Sequence, residues 1–141
     1  MIGFGVARCS PPADALPMAI LRHETPDGAA HFDLLLADMA SVPDDARTVP
    51  TWRCERDPFT LAPGERMRVE AIAPHRGFYL HLEGEHVLDG ARGRVRSVHR
   101  GWHSMHGAWR RLHDPRHGDA AIRLEGDMLV AGDAAPHVNA S

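Results

Sequence analysis

Only two cysteines, Cys9 and Cys54, occur in the 141 residues. With no secretory signal in view, they read as free thiols in a reducing compartment. The N-terminus lacks a basic stretch followed by an apolar core. No apolar run approaches the ~20 residues that a membrane span needs. A cytoplasmic protein with no membrane partner is therefore expected. A strong net charge is also missing. The formal charge is −3 and the isoelectric point about 6.4, which is not the footprint of a protein gripping a long duplex. No stretch sustains a 3.6-residue period, so helix content should be low. No internal repeat is visible.

What is present fits one soluble domain. A chain of this length can bury ~68–70% of its unfolded surface without staples. Hydrophobic residues make up 43% and charged residues 25%, both ordinary shares. Eleven prolines and thirteen glycines, spread along the chain, favour many short elements. Charge is unevenly placed. Between Arg92 and Arg116 lie seven arginines and one acid, Asp114. That segment could contact phosphate or simply be a solvated face. Histidine is the unusual residue, with eleven copies.

The stretch that organises the chain runs from Met18 to Leu36 and reads as a β-hairpin. Met18-Ala19-Ile20-Leu21 is a short apolar strand. Pro26-Asp27-Gly28 is turn chemistry: proline pre-sets φ, aspartate bonds its own backbone, and glycine takes φ > 0. The chain returns through His31-Phe32-Asp33-Leu34-Leu35-Leu36. Strand side chains alternate, so His31 and Asp33 share one face while Phe32, Leu34 and Leu36 anchor the other. His23 can join the first face across the hairpin. Two imidazoles and a carboxylate make half of an octahedral metal shell, with positions open to water and substrate.

Further strands are expected at Thr51–Glu55, with Trp52 and Cys54 on one face, and at Met67–Ile72, ended by Pro74. Phe78–Glu83 and Arg94–Arg100 read as two more strands. Residues 121–130 read as a closing hairpin that turns at Gly126-Asp127. One helical turn is expected near Asp44–Arg47. Residues 1–17 read as a flexible leader and residues 18–141 as the domain. Short strands at 8–12-residue spacing indicate a mainly β fold, a small closed or partly open β-barrel. His75, beside Arg76 at a strand end, suits a phosphate: the guanidinium offers a bidentate fork and the imidazole a proton. His99, His103, His106, His113 and His117 read as a mobile loop. His103 and His106 have a spacing found in helical zinc sites, but Gly101 and Gly107 argue against a helix. Trp102 and Trp109 could stack on a base or cover the barrel mouth.

Taken in order, the pieces RH…HFDLLL, TWRCERDP, PHRGFYLHLEG and GARGRVRSVHRG resemble the 3′-phosphoesterase domain of bacterial DNA ligase D and its small stand-alone relatives. The resemblance covers about residues 18–132. It implies a small β-barrel with a crescent-shaped groove, and Mn²⁺-dependent trimming of nucleic-acid 3′ ends in DNA repair. A terminal ribonucleoside is removed first, then the 3′-phosphate. Carried over residue by residue, it implies His23, His31 and Asp33 as ligands of Mn²⁺, or of Zn²⁺ or Co²⁺. His75 would contact the scissile phosphate with Tyr79 near it; an upstream phosphate-binding arginine is matched by Arg66 or Arg68, and Arg76, beside His75, would compensate for a thinned phosphate clamp. A monomer that works beside a separate ligase or polymerase is the matching expectation. Two departures stand out. Leu35 occupies the position of a phosphate-holding arginine, and the hairpin tip is about two residues longer. Those departures and the acidic balance favour an alternative, a non-catalytic metal- and nucleic-acid-binding module on the same barrel. A third reading is an oxygen-using metalloenzyme, since two-histidine-one-carboxylate sites also serve that chemistry.

Overall fold

The structure, a computed structural model, describes residues 10–133. Nine strands form one antiparallel sheet: β1 (Leu16–Glu24), β2 (Ala30–Leu36), β3 (Arg47–Cys54), β4 (Arg66–Arg76), β5 (Glu85–Val87), β6 (Arg94–His106), β7 (Trp109–Asp114), β8 (Gly118–Glu125) and β9 (Met128–Gly132). The spatial order is β1-β2-β3-β4-β9-β8-β7-β6-β5, and β1 also pairs with β6. Eight strands therefore close a ring, and β5 hangs on the first residues of β6. The fold is mainly β and barrel-like, as the strand spacing predicts. Helical structure among the described residues is limited to three short 3-10 turns. None of their helices is long and apolar enough to cross a membrane.

Alternation along β1 and β2 builds two cores instead of one. Met18 and Ile20 meet Leu34 and Leu36, and with Met67, Val69, Leu112, Ile122 and Leu129 they fill the inside of the ring. Ala19, Leu21 and Leu35 point outward, yet they are fully buried. They pack with Val49 and Val95 under Val42, Leu80 and Leu82, which come from the segments that follow β2 and β4. Strands buried on both faces read as continuous apolar runs. That explains Leu34-Leu35-Leu36.

Several expectations need correction. Residues 1–9 of the expected leader lie outside the described residues, and Leu16 and Pro17 already pair with His103 and Trp102 as the start of β1. The Asp44 region is a turn, closed by the Ala46 amide on the Pro43 carbonyl, and not a helix. Pro74 does not end β4. Thr51 pairs with Ile72 but Val49 pairs with His75, so β4 carries one extra residue there. A bulge frees proline from donating to the ladder. Phe78–Leu80 is a 3-10 turn, not a strand. The Gly77 and Phe78 amides bond to the Ala46 and Asp44 carbonyls, and Leu80 is drawn into the outer core. The histidine-rich stretch is not a loop. His99, His103 and His106 lie on β6, and His113 lies on β7. Its polar side chains are held by partners from distant parts of the chain, as when His103 Nε2 bonds the Ala37 carbonyl at 2.8 Å. Trp102 stacks on His113, and Trp109 lies beneath the Arg123 guanidinium. The closing hairpin holds, with Gly126 and Asp127 between β8 and β9.

Two mutants test this architecture. Leu34 has no exposed surface, so Leu34→Ala should cost ~2–5 kcal/mol in denaturant unfolding. Asp119 is held by His113 Nδ1 and Arg111 Nε. Burial works to raise its pKa, but those two hydrogen bonds prevail and hold it below the usual 3.8. The bonded carboxylate therefore stabilises the fold above pH 3.8, and this is lost as pH falls through the lowered value. Asp119→Asn should be less stable by ~1.5–3 kcal/mol at pH 7, and the gap to the parent should close on acidification.

Candidate active site

The hairpin tip is built by its own side chains. The Gly28 amide bonds the Thr25 carbonyl at 2.9 Å, and Asp27 accepts from the Thr25 hydroxyl and the Ala29 amide. Gly28 has φ of 90°, which a non-glycine residue rarely adopts. This tip sets the β1–β2 register, in which His23 faces His31 and Leu21 faces Asp33. Both histidines and the carboxylate consequently lie on the outer face. The His23 and His31 rings meet edge to face at 4.7 Å. Ligand atoms of His23, His31 and Asp33 all fall within 4.8 Å of one another.

His75 arrives from two strands away. Its Nε2 lies 3.3 Å from Asp33 Oδ2, and its Nδ1 is held by the Ala73 carbonyl at 3.3 Å. The β4 bulge at Pro74 is what turns His75 toward Asp33. Tyr79 leans edge-on against His75 with centroids 5.8 Å apart. Gly93 lets the opposite wall approach. Its φ is 97°, and a Cβ there would sit 2.0 Å from the Glu24 carbonyl oxygen. The preceding residue, Arg92, thereby places its carbonyl 2.9 Å from His23 Nε2. With Nε2 donating, His23 keeps Nδ1 for a ligand.

Two atoms at the centre fit a cation. His31 Nε2 and Asp33 Oδ1 are sealed from solvent, and neither makes a hydrogen bond. Buried polar atoms are rarely left this way. They stand 3.3 Å apart. Neighbouring donors at ~2.1 Å from a divalent ion lie ~3.0–3.4 Å apart, a spacing these two atoms already have. Burial pushes the His31 pKa down. The Asp33 charge opposes this, while Arg53, His23 and His75 add to it. The neutral imidazole that a metal requires is thus favoured.

Around this centre lies a cavity of about 310 Å³, lined by Arg47, Arg53, Arg76 and Arg92. Among the described residues none of the four is ion-paired with a carboxylate. Arg53 stands directly across the ladder from Asp33. Arg76 rests on the Phe78 and Tyr79 rings at 5.2 and 5.4 Å. Of the residues singled out in the sequence, His23, His31, Asp33, His75, Tyr79 and Arg76 come together here. Arg68 does not. It lines a neighbouring groove, which His31 and Arg53 also line, and there it is bound to Asp127 at 2.6 Å. Arg47, Arg53 and Arg92 were missed, although one signal was available: all sixteen basic residues are arginines. Arginine suits planar, bidentate recognition of phosphate.

The free cysteine belongs elsewhere. Cys54 faces the inner core, and burial, aided by Asp33 and Asp57, pushes its thiol up to about 12. Such a thiol is inert. Cys9 lies outside the described residues. Comparison of the chain with family models, curated proteins and solved structures gives no match.

Leu35 has no exposed surface and is packed in the outer core. Leu35→Arg should therefore destabilise the fold by ~3 kcal/mol or more, because a buried guanidinium without a partner is introduced. A lowered denaturation midpoint would show it. A stable Leu35→Arg protein would mean that the outer core is looser than described.

Proposed function

We propose that this protein is a metal-dependent phosphoesterase acting at nucleic-acid 3′ ends, taking off a terminal phosphate or ribonucleoside. One observation carries the reading. Two buried, unbonded ligand atoms, His31 Nε2 and Asp33 Oδ1, adjoin a cavity that His23, Asp33 and His75 line together with four arginines. His23, His31 and Asp33 would hold a divalent ion such as Mn²⁺, which when bound supplies Lewis-acid polarisation of a phosphoryl oxygen. Arg53, Arg76 and Arg47 would bind the remaining phosphate oxygens through paired N–H donors. His75 Nε2 would give a proton to the departing oxygen, and the edge-on contact with Tyr79 would steady its ring. A cavity of about 310 Å³ admits a strand end and not a duplex. The likeness in motif order to the ligase D phosphoesterase domain supports the same reading, as does the retention of its four central residues.

The test uses a primer ending in a 3′-phosphate or in one ribonucleotide, incubated with Mn²⁺. The parent protein should shorten or dephosphorylate it. His31→Ala should lose Mn²⁺ binding at this centre and activity together. His75→Ala should keep the metal and lose ~10²–10⁴-fold in rate. Metal uptake without any turnover by the parent would instead support a binding module. Oxygen consumption with iron and a co-substrate would overturn both readings.

A further inference from the structure

A second histidine–aspartate assembly lies on the other face of the sheet. His99 on β6 pairs with Ile20, and Asp114 on β7 follows Leu112 by two residues, so both belong to the inner face. His117 approaches from the β7–β8 turn, and its Nδ1 lies 2.8 Å from Asp114 Oδ2. His99 Nδ1 lies 2.9 Å from the same oxygen. Ligand atoms of the three residues all fall within 4.8 Å of one another. The His99 ring and the Asp114 carboxylate are held in place. Phe59 stacks on His99 at 3.9 Å. The Arg116 amide holds Asp114 Oδ1 at 2.8 Å.

We propose that His99, Asp114 and His117 bind a divalent transition-metal ion of the zinc type, independently of the outer-face centre. Two imidazole nitrogens converge on one carboxylate oxygen, where a single cation can replace the two bridging protons. The far nitrogen of His99 is already committed: Nε2 lies 2.7 Å from Asp57 Oδ2. A carboxylate holding the outer nitrogen is the arrangement that orients a metal-ligating histidine and raises its basicity. Two buried or half-buried carboxylates, Asp57 and Asp114, leave negative charge for the cation to neutralise. Donors around tetrahedral zinc at ~2.1 Å lie ~3.3–3.4 Å apart, a few tenths of an ångström wider than the present separations. The His117 side chain is 53% exposed and can swing outward by that amount. A cavity of about 240 Å³ opens on all three residues and leaves room for a water or a small anion as fourth ligand. Three protein ligands with an open fourth position is the composition of a reactive zinc site, not of a sealed structural one.

Co²⁺ is the probe, because its visible absorption reports tetrahedral nitrogen and oxygen coordination. Metal-free His31→Ala protein, in which the outer-face centre is disabled, is titrated with Co²⁺ by absorption and equilibrium dialysis. One equivalent should bind with tetrahedral-type bands. Adding His117→Ala should abolish both, with little change in the metal-free melting temperature, since His117 stands at the surface. Adding Asp57→Asn instead should weaken Co²⁺ binding by ~10–100-fold while the bands survive. No uptake by His31→Ala, or uptake indifferent to His117→Ala, would overturn the proposal. Neither result touches the assignment of the outer-face centre, which is read separately from the parent protein and its 3′-end activity.

Discussion

Pairing of β1 with β6 is the constraint on which the rest of the molecule depends. It closes the ring, so every ring strand has a strand neighbour on each side. It also gives β1 neighbours on both sides, β2 and β6, and commits its side chains to two different interiors. The register shifts between Ile20 and Leu21, where Val98 of β6 is left without a partner. Before the shift, β1 and β6 share the residues that lead to His99. After it, His23 faces Val95 on the outer wall. One strand pair thus positions both histidine–aspartate assemblies, on opposite faces. Sites carried on packed strands hold their geometry better than sites on loops.

Both assemblies solve the same chemical problem. Holding one ring nitrogen fixes the orientation and tautomer of an imidazole, and on each face an oxygen does this for some of the histidines. Arg92 and Ala73 lend backbone carbonyls to His23 and His75 on the outer face. Asp57 lends a carboxylate to His99 on the inner face. The difference matters. A carboxylate raises the basicity of the ring more than a neutral carbonyl does. The outer face compensates with burial, which keeps His31 neutral, and with an arginine rim that suits an anionic ligand.

The organising hairpin was legible because its information is local. Period-two alternation, a Pro-Asp-Gly turn and HxD on one face require nothing beyond twenty consecutive residues. The mainly β fold and the closing hairpin at Gly126-Asp127 were legible for the same reason. What failed depended on distant partners. Phe78–Leu80 alternates like a strand, but the Asp44 and Ala46 carbonyls capture its amides and wind it into a 3-10 turn. Pro74 looks like a stop, and only the offset between β3 and β4 shows it sitting in a bulge. The stretch from His99 onward looks like a polar loop because the partners that hold His99 and His103, Asp57 and Ala37, lie far away in the chain. No reading of a glycine- and histidine-rich stretch in isolation could supply those partners.

Leu35 limits where positive charge can stand around the outer-face site. An outward residue at this point of β2 must join the outer core, because Leu21, Val49 and Leu80 already surround it. A guanidinium there would have to be solvated where no water reaches. The positive charge that a phosphate ligand needs has to come from strands whose outer positions remain open, and Arg53 on β3, across from Asp33, is such a position. Its guanidinium can reach the same space from the side instead of along the strand. For the proposed activity this shifts the phosphate grip away from β2 toward β3 and the segment after β4. A grip assembled from Arg47, Arg53 and Arg76 surrounds a single terminus. Three arginines around one small cavity bind one phosphate strongly, whereas a duplex needs basic residues spread along a face. The four arginines around this cavity form the first arrangement.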